Sequence, residues 1–175
     1  VSYSKTENVE NLEEIRHELI RETLKEARQK TGLEIVTMAD IPGNGTGLGS
    51  SSALVVGLLH CLYKDQSPNW LAETAFSIEA NNCKKPVGKQ DHYAAALGGF
   101  KEYLFKKKNV SYSPLTSNWD CDNPWTEAEL EEQMLLLWTG MARPSADILQ
   151  KQKDNFSSGN TLDRGKELVA LVDIC

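Results

Sequence analysis

The sequence lacks a paired-cysteine motif, a stripe of basic residues and a long hydrophobic run. Its four cysteines, at positions 61, 83, 121 and 175, form no CxxC pair and have no histidine partner at the spacing of a zinc site. This pattern indicates neither a disulfide framework nor a metal cage. We therefore expect reduced thiols in a cytoplasmic protein.

Charge and hydropathy exclude two classes of partner. The 25 acidic and 19 basic residues leave a net charge of -6 that is spread along the chain, which argues against a nucleic-acid partner. The longest apolar run, residues 53–62, is broken by Gly57 and His60 and is about half the length of a membrane span. No charged-then-apolar signal segment opens the chain, so we expect no membrane partner and a small-molecule ligand.

Periodicity predicts an α+β chain whose first half is mostly helical. Residues 11–31 are typical of an amphipathic surface helix, with Asn11 and Glu14 at capping-box spacing and Gly32 as a stop. Residues 33–39 are rich in branched side chains and predict a strand, which a glycine-rich loop follows over residues 40–49. Three further helices are predicted: a buried one over residues 50–63, one over 69–81 and one from 88 to about 98.

The second half is predicted to be more mixed. Residues 100–105 and 110–115 read as paired strands around a basic turn. An acidic helix over residues 127–132, an apolar strand over 134–139, a helix over 146–153 and a last helix near the terminus follow. The length of 175 residues is enough for one domain and part of another.

The glycine-rich loop is the first feature that points to chemistry. Its glycines at positions 43, 45, 47 and 49 let backbone N–H groups turn toward a polyphosphate, and the following helix adds positive potential. The loop fits neither the Walker A pattern nor GxGxxG, and a tight turn without a ligand explains the glycines equally well. Three successive hydroxyls at Ser50, Ser51 and Ser52 exceed what helix capping requires, and they favour binding of phosphate and magnesium.

Several motifs resemble those of one enzyme superfamily. Residues 41–42 (IP) and 47–53 (GLGSSSA) are similar to the second signature of the GHMP kinases. Within that superfamily, three stretches resemble the heptose 7-phosphate kinases: residues 3–7 (YSKTE); residues 86–91 (PVGKQD) with 93–96 (YAAA) and 98–100 (GGF); and residues 139–140 (TG) with Arg143 and 147–149 (DIL). The resemblance implies the GHMP kinase fold. Residues 1–143 would form its ribosomal-protein-S5-domain-2-like N-terminal part, without the first strands, and residues 144–175 the start of its ferredoxin-like C-terminal part.

The same resemblance implies a function and a set of site residues. It implies a kinase that uses ATP and Mg²⁺ to transfer the γ-phosphoryl group to a sugar hydroxyl, namely the anomeric hydroxyl of D-glycero-D-manno-heptose 7-phosphate. Ser51 and Glu79 would bind magnesium, and Asp91 would accept the hydroxyl proton. Apart from the resemblance, Arg143 precedes a helix that begins near Pro144, and its guanidinium at that helix start is a candidate to bind the sugar's own phosphate. The residues implied to bind ATP are Gly45, Gly47, Leu48, Gly49, Ser50, Ser51 and Ser52.

Each of these assignments has an alternative. Another GHMP sugar kinase, such as a fucose kinase, would carry the same motifs, and so would a truncated relic that binds nucleotide without turnover. Glu79 is also consistent with a solvated helix residue, Asp91 with a simple helix N-cap, and Arg143 with a surface arginine.

The sequence also departs from the pattern of the superfamily. Five residues, 43–47, separate Pro42 from Leu48 where the superfamily has four. His92, Pro144 and Ser145 occupy positions where glutamine, serine and alanine are expected. The strand that begins such kinases and the glycine-rich loop near their end are not in the sequence. We therefore expect a fragment that turns over sugar poorly and self-associates through uncovered apolar faces.

Overall fold

A computed structural model of the chain describes residues 6–29, 32–39, 46–107, 109–114, 127–137, 149–151 and 154–155. Within them, a bundle of helices forms the hydrophobic core, and the sheet has two strands. The described residues therefore agree with the predicted α+β class. The ferredoxin-like part proposed for residues 144–175 lies almost entirely outside the described residues.

The first helical region is shorter than its sequence pattern predicts. A 3₁₀ turn spans Leu12–Glu14, and helix α1 begins only at Glu18 and ends at Glu26. Asn11 does not cap backbone N–H groups, because its side-chain amide donates instead to the Glu14 carboxylate at 2.8 Å. The cap of α1 is His17, whose ring nitrogen accepts from the backbone N–H of Ile20 at 3.4 Å.

Three helices build most of the core and agree with the predicted pattern. They are α2 (Ser50–Leu62), α3 (Pro68–Ser77) and α4 (Gln90–Leu97), and α1 packs against α2 and adds Leu19 to the core. Helix α3 begins where the Ser67 hydroxyl accepts from the Trp70 N–H at 3.2 Å and Pro68 pre-sets the first turn. The core residues come from α1, α2, α3 and the turn after α3: Leu19, Val55, Val56, Leu59, Leu71, Ala75 and Ile78.

A single π-helical turn, Ile78–Asn82, extends α3 where the sequence predicts a uniform helix. It closes with a hydrogen bond from the Cys83 N–H to the Ile78 carbonyl at 2.9 Å. Such turns occur mostly as single wide turns joined to α-helices, frequently at functional sites. The turn buries both Ile78 and Glu79, so a charged side chain is placed inside the core rather than on its surface.

The predicted hairpin is confirmed. Strand β1 (Lys101–Phe105) pairs antiparallel with β2 (Val110–Pro114), and Tyr103 lies opposite Tyr112. Helix α5 (Glu127–Gln133) agrees with the predicted acidic helix. Residues 149–151 are helical as predicted, and residues 154–155 are helical beyond the predicted end at residue 153.

Two predicted strands are wrong over their described residues. Residues 32–39 and 134–137 form no strand, and their large apolar side chains are exposed, as for Met38 at 93% and Leu135 at 81%. A strand requires a hydrogen-bonded neighbour, and neither segment pairs with another described segment. No helix within the described ranges is long and apolar enough to cross a bilayer.

Candidate active site

The start of α2 brings the signature loop against α4. Gly47 and Gly49 have positive φ angles of 71° and 67°, which ordinary side chains rarely adopt. A β-carbon on Gly49 would lie 3.3 Å from Cβ and 3.8 Å from Oδ2 of Asp91. Glycine at this position therefore permits both the turn of the loop and the close approach of Asp91.

Asp91 lies inside α4 rather than at its cap. The N-cap is Lys89, so Asp91 is the second helical residue, and the alternative that it is a simple N-cap is wrong. Its side chain is exposed. The fold thus presents a carboxylate beside the start of α2, where a bound ligand can reach it.

Ser51 and Glu79 are brought together from α2 and the π-helical turn. The Ser51 hydroxyl donates to Oε2 of Glu79 at 3.4 Å, across 28 positions of sequence. Ser51 is exposed whereas Glu79 is completely buried, which contradicts the alternative that Glu79 is a solvated helix residue. Burial raises the pKa of Glu79, although the Ser51 hydrogen bond and the charge of Lys85 oppose this.

The remaining residues of the signature differ in what they can offer a ligand. The Ser52 side chain is only 2% exposed and points into the core, so this residue offers its backbone N–H rather than its hydroxyl. Leu48 is half exposed, and its N–H donates to the Thr46 hydroxyl at 3.4 Å. Among the described residues no side chain caps α2, so within this part of the chain the N–H groups of its first turn have no side-chain acceptor.

His92 is a component of this cluster that the motifs did not assign. It is fully buried, and its Nδ1 lies 3.2 Å from the Gly88 carbonyl, while its Nε2 faces Oε1 of Glu79 at 3.9 Å. Burial lowers the pKa of His92, although the Gly88 carbonyl and neighbouring carboxylates oppose this. The one sign in the sequence that position 92 differs from the superfamily was histidine in place of the expected glutamine.

A second polar cluster fixes the beginning of α4 on α3. Lys89 Nζ lies 2.7 Å from both carboxylate oxygens of Glu73 and 5.1 Å from the ring centre of Phe76. The Tyr93 hydroxyl donates to the same Glu73 carboxylate at 2.7 Å. Because Asp91 and His92 lie between Lys89 and Tyr93, this cluster restrains the segment that carries them.

Two predicted site residues, Gly45 and Arg143, lie outside the described residues. Among the residues that the structure describes, no group of three or more His, Cys, Asp or Glu side chains could hold a metal. The serine hydroxyl and single carboxylate of Ser51 and Glu79 nevertheless suit Mg²⁺, which prefers oxygen and keeps several ligands from water or substrate phosphates.

Comparison with known proteins finds similarity to two kinases. The chain is similar to a D-glycero-alpha-D-manno-heptose 7-phosphate kinase of Campylobacter jejuni, with 32% identity over 137 aligned positions that cover 73% of the chain and 37% of that protein. It is also similar to a bifunctional fucokinase/GDP-fucose pyrophosphorylase of Arabidopsis thaliana, with 30% identity over 139 positions that cover 72% of the chain and 12% of that protein. The aligned part of the chain thus spans little more than a third of the bacterial relative. No solved structure matches the chain significantly.

The family match covers the site itself. Residues 15–99 match the family described as GHMP kinases N terminal domain, and both relatives are sugar kinases by name. This range includes the signature loop, the Ser51 and Glu79 pair, and Asp91. Residues 15–99 therefore belong to the GHMP kinase family, as its N-terminal domain.

Proposed function

We propose that the protein is a sugar kinase that uses ATP and Mg²⁺ to transfer the γ-phosphoryl group to a sugar hydroxyl. One observation carries the proposal: the start of α2 lies against Asp91, whose carboxylate oxygen Oδ2 is 3.8 Å from a β-carbon placed on Gly49. A phosphate held at this helix start would have a proton acceptor beside it, as transfer to a hydroxyl requires.

Binding of the nucleotide is assigned to the signature loop and the first turn of α2. Backbone N–H groups and the positive end of the helix dipole would neutralise phosphate charge there. The proposed residues are Gly45, Gly47, Leu48, Gly49, Ser50, Ser51 and Ser52. Since Gly47 and Gly49 have positive φ angles, this part of the loop requires glycine to keep its shape.

Magnesium is assigned to Ser51 and Glu79, whose oxygens lie 3.4 Å apart at the same helix start. When bound, the ion supplies positive charge against the charge on the transferred phosphoryl group. Asp91 would take the proton of the attacking hydroxyl, and its exposed position leaves room for a sugar.

The Asp91 assignment is tested by Asp91→Asn in the full-length protein. We expect turnover to fall on the order of 100-fold, with little change in ATP affinity, because the amide cannot accept the proton. Asp65→Asn, the same chemical change at an exposed turn after α2, is the matched control and should leave turnover unchanged. An unchanged rate in Asp91→Asn would remove the proton-acceptor role.

The metal assignment is tested by Ser51→Ala and Glu79→Gln. Each should raise the Mg²⁺ concentration needed for half-maximal turnover by about 10-fold or more, because Ser51→Ala removes an oxygen ligand and Glu79→Gln removes the negative charge of one. Ser111→Ala, an exposed serine of β2, serves as the control. Wild-type magnesium dependence in both site variants would contradict the assignment.

For the acceptor, we propose the anomeric hydroxyl of D-glycero-D-manno-heptose 7-phosphate, supported by the similarity to the Campylobacter kinase. The similarity to the Arabidopsis fucokinase supports fucose as the second candidate. A coupled assay of ADP release, run with each sugar, discriminates between them. The substrate with the higher kcat/KM identifies the activity, and release with neither sugar would overturn both.

Two further parts of the proposal concern the domain boundary and Arg143, which lies outside the described residues. We propose that residues 1–143 form the N-terminal kinase domain and 144–175 the start of a ferredoxin-like C-terminal domain. Arg143, at this boundary, is proposed to bind the phosphate of the sugar, because a guanidinium suits a phosphate bidentately. Arg143→Ala should raise KM more for a phosphorylated sugar than for its unphosphorylated analogue, and equal effects would exclude this role.

A further inference from the structure

The two oxygens of the Glu79 carboxylate have different surroundings. Oε2 accepts from the exposed Ser51 hydroxyl, on the side proposed to bind the metal. Oε1 points the other way, into the core, where it is buried and has no hydrogen-bond partner among the described residues. A buried carboxylate oxygen without a partner is energetically costly, so its nearest polar neighbour is of interest.

That neighbour is the imidazole of His92. Its Nε2 is also buried without a hydrogen-bond partner in the described part of the chain, and it lies 3.9 Å from Oε1. The gap exceeds a hydrogen bond by less than about 1 Å. A single hydrogen between these two atoms would satisfy both of them, and no other described group does so for either atom.

The ring of His92 is itself held in place. Because a carbonyl oxygen only accepts, Nδ1 of His92 must carry the hydrogen that it shares with the Gly88 carbonyl at 3.2 Å. The ring of Phe76 packs edge-on against the imidazole, with centroids 5.8 Å apart. These contacts fix the direction of Nε2, and they connect Glu79 to the turn that immediately precedes Asp91.

We infer that His92 is a positioning residue, which holds the Glu79 carboxylate so that Oε2 faces the metal and links its orientation to the turn before Asp91. This inference rests on the proposed magnesium role of Glu79 and extends it to a residue that touches neither metal nor substrate. Groups that orient metal-binding side chains typically contribute 10- to 100-fold to metal affinity. Glutamine at this position has both an N–H donor and a carbonyl acceptor, so it could bond to Oε1 whichever partner carries the hydrogen, whereas leucine could not.

The first part of the test measures metal binding to the full-length protein in the presence of ADP. Mn²⁺ is added, and electron paramagnetic resonance gives the concentration of the ion that stays free. His92→Leu should weaken Mn²⁺ binding by about 10-fold or more, and His92→Gln should restore most of it. His60→Leu, the same substitution at an exposed position of α2, is the matched control and should leave Mn²⁺ binding unchanged. Wild-type affinity in His92→Leu, or no recovery in His92→Gln, would overturn the inference.

A metal-free measurement tests the contact between the two side chains. In a double-mutant cycle of His92→Leu and Glu79→Gln, the unfolding equilibrium constants should deviate from independence by about 10-fold or more. Independent effects would show that His92 does not act on Glu79. Absence of Mn²⁺ binding in the wild-type protein would instead overturn the proposed function, and the inference with it, so the two failures are distinguishable.

Discussion

The three core helices and the two exposed apolar segments contain similar side chains but differ in what surrounds them. Leu59 of α2 is completely buried, whereas Leu136 is 76% exposed. A helix forms its backbone hydrogen bonds within its own segment, so α2, α3 and α4 need only pack their side chains together. Residues 32–39 and 134–137 are apolar in a pattern typical of strands, and a strand needs a hydrogen-bonded neighbour. An apolar segment therefore becomes part of the core only where its backbone N–H and C=O groups also have hydrogen-bond partners.

The largest expected effect is on the core side of this comparison. Leu59→Ala should destabilise the protein by about 2–5 kcal/mol, because it leaves a cavity between α2 and its neighbours. Leu136→Ala, the same change in an exposed segment, should alter the free energy of unfolding by less than about 0.5 kcal/mol. Urea unfolding followed by circular dichroism measures both. Equal losses would mean that residues 134–137 are packed in solution.

The next effect concerns the contact between the loop and α4. Gly49→Ala should lower turnover on the order of 100-fold, because the new methyl group meets Asp91 and the positive φ angle becomes strained. Gly57→Ala, within the same helix, is the control: its β-carbon meets nothing within 4 Å, and we expect stabilisation of about 0.5–1 kcal/mol. Steady-state kinetics of both variants measure the effect. Equal turnover in Gly49→Ala and Gly57→Ala would contradict the role of the close approach between Gly49 and Asp91.

A pair of tyrosines sharpens the comparison between satisfied and unsatisfied polar groups. Tyr93→Phe should destabilise the protein by about 1–2 kcal/mol, since it removes the hydrogen bond to the Glu73 carboxylate. Tyr103→Phe should be neutral or slightly stabilising, because the buried Tyr103 hydroxyl has no hydrogen-bond partner among the described residues. Thermal unfolding of the two variants should rank them in this order, and the reverse order would contradict the proposed network.

The exposed apolar segments should promote association between copies of the 175-residue chain. Leu136→Ser is expected to weaken this self-association by about 10-fold, because one large side chain would no longer be buried between copies. Light scattering over a range of chain concentrations measures the change. A wild-type chain that stays monomeric would show that these segments do not form a contact between copies.

The smallest expected effect is on acid stability. Burial raises the pKa of Glu73, but the hydrogen bonds from Lys89 and Tyr93 together lower it by more. The pKa of Glu73 therefore lies below its ordinary value of 4.5. A depressed carboxyl pKa stabilises the fold above the unfolded-state pKa, and this stability is lost as pH falls through the folded value. Because both side chains are partly exposed, the contribution is about 1 kcal/mol or less. Lys89→Met should therefore flatten the loss of stability below pH 4.5, whereas an unchanged acid profile would contradict the role of Lys89.

Much of the site was predictable because its signals are local. The glycines at 47 and 49 and the serines that follow indicate a phosphate-binding helix start, and the structure gives both glycines positive φ angles. The motif resemblance implied roles for Ser51, Glu79 and Asp91, and the fold gathers all three at one end of α2 and α4. Their proximity could not be derived from spacing, since Ser51 and Glu79 are 28 residues apart.

The sequence by itself determined the helical segments, the hairpin and the family of the N-terminal domain, because short-range periodicity, capping and motif order are written along the chain. Tertiary structure alone decided that Glu79 is buried, that the π-helical turn places it there, and that His92 faces its inner oxygen. It also decided that residues 32–39 and 134–137 do not form strands. The physical reason is the same in both cases, since burial and strand pairing depend on segments distant in sequence, which no local pattern specifies.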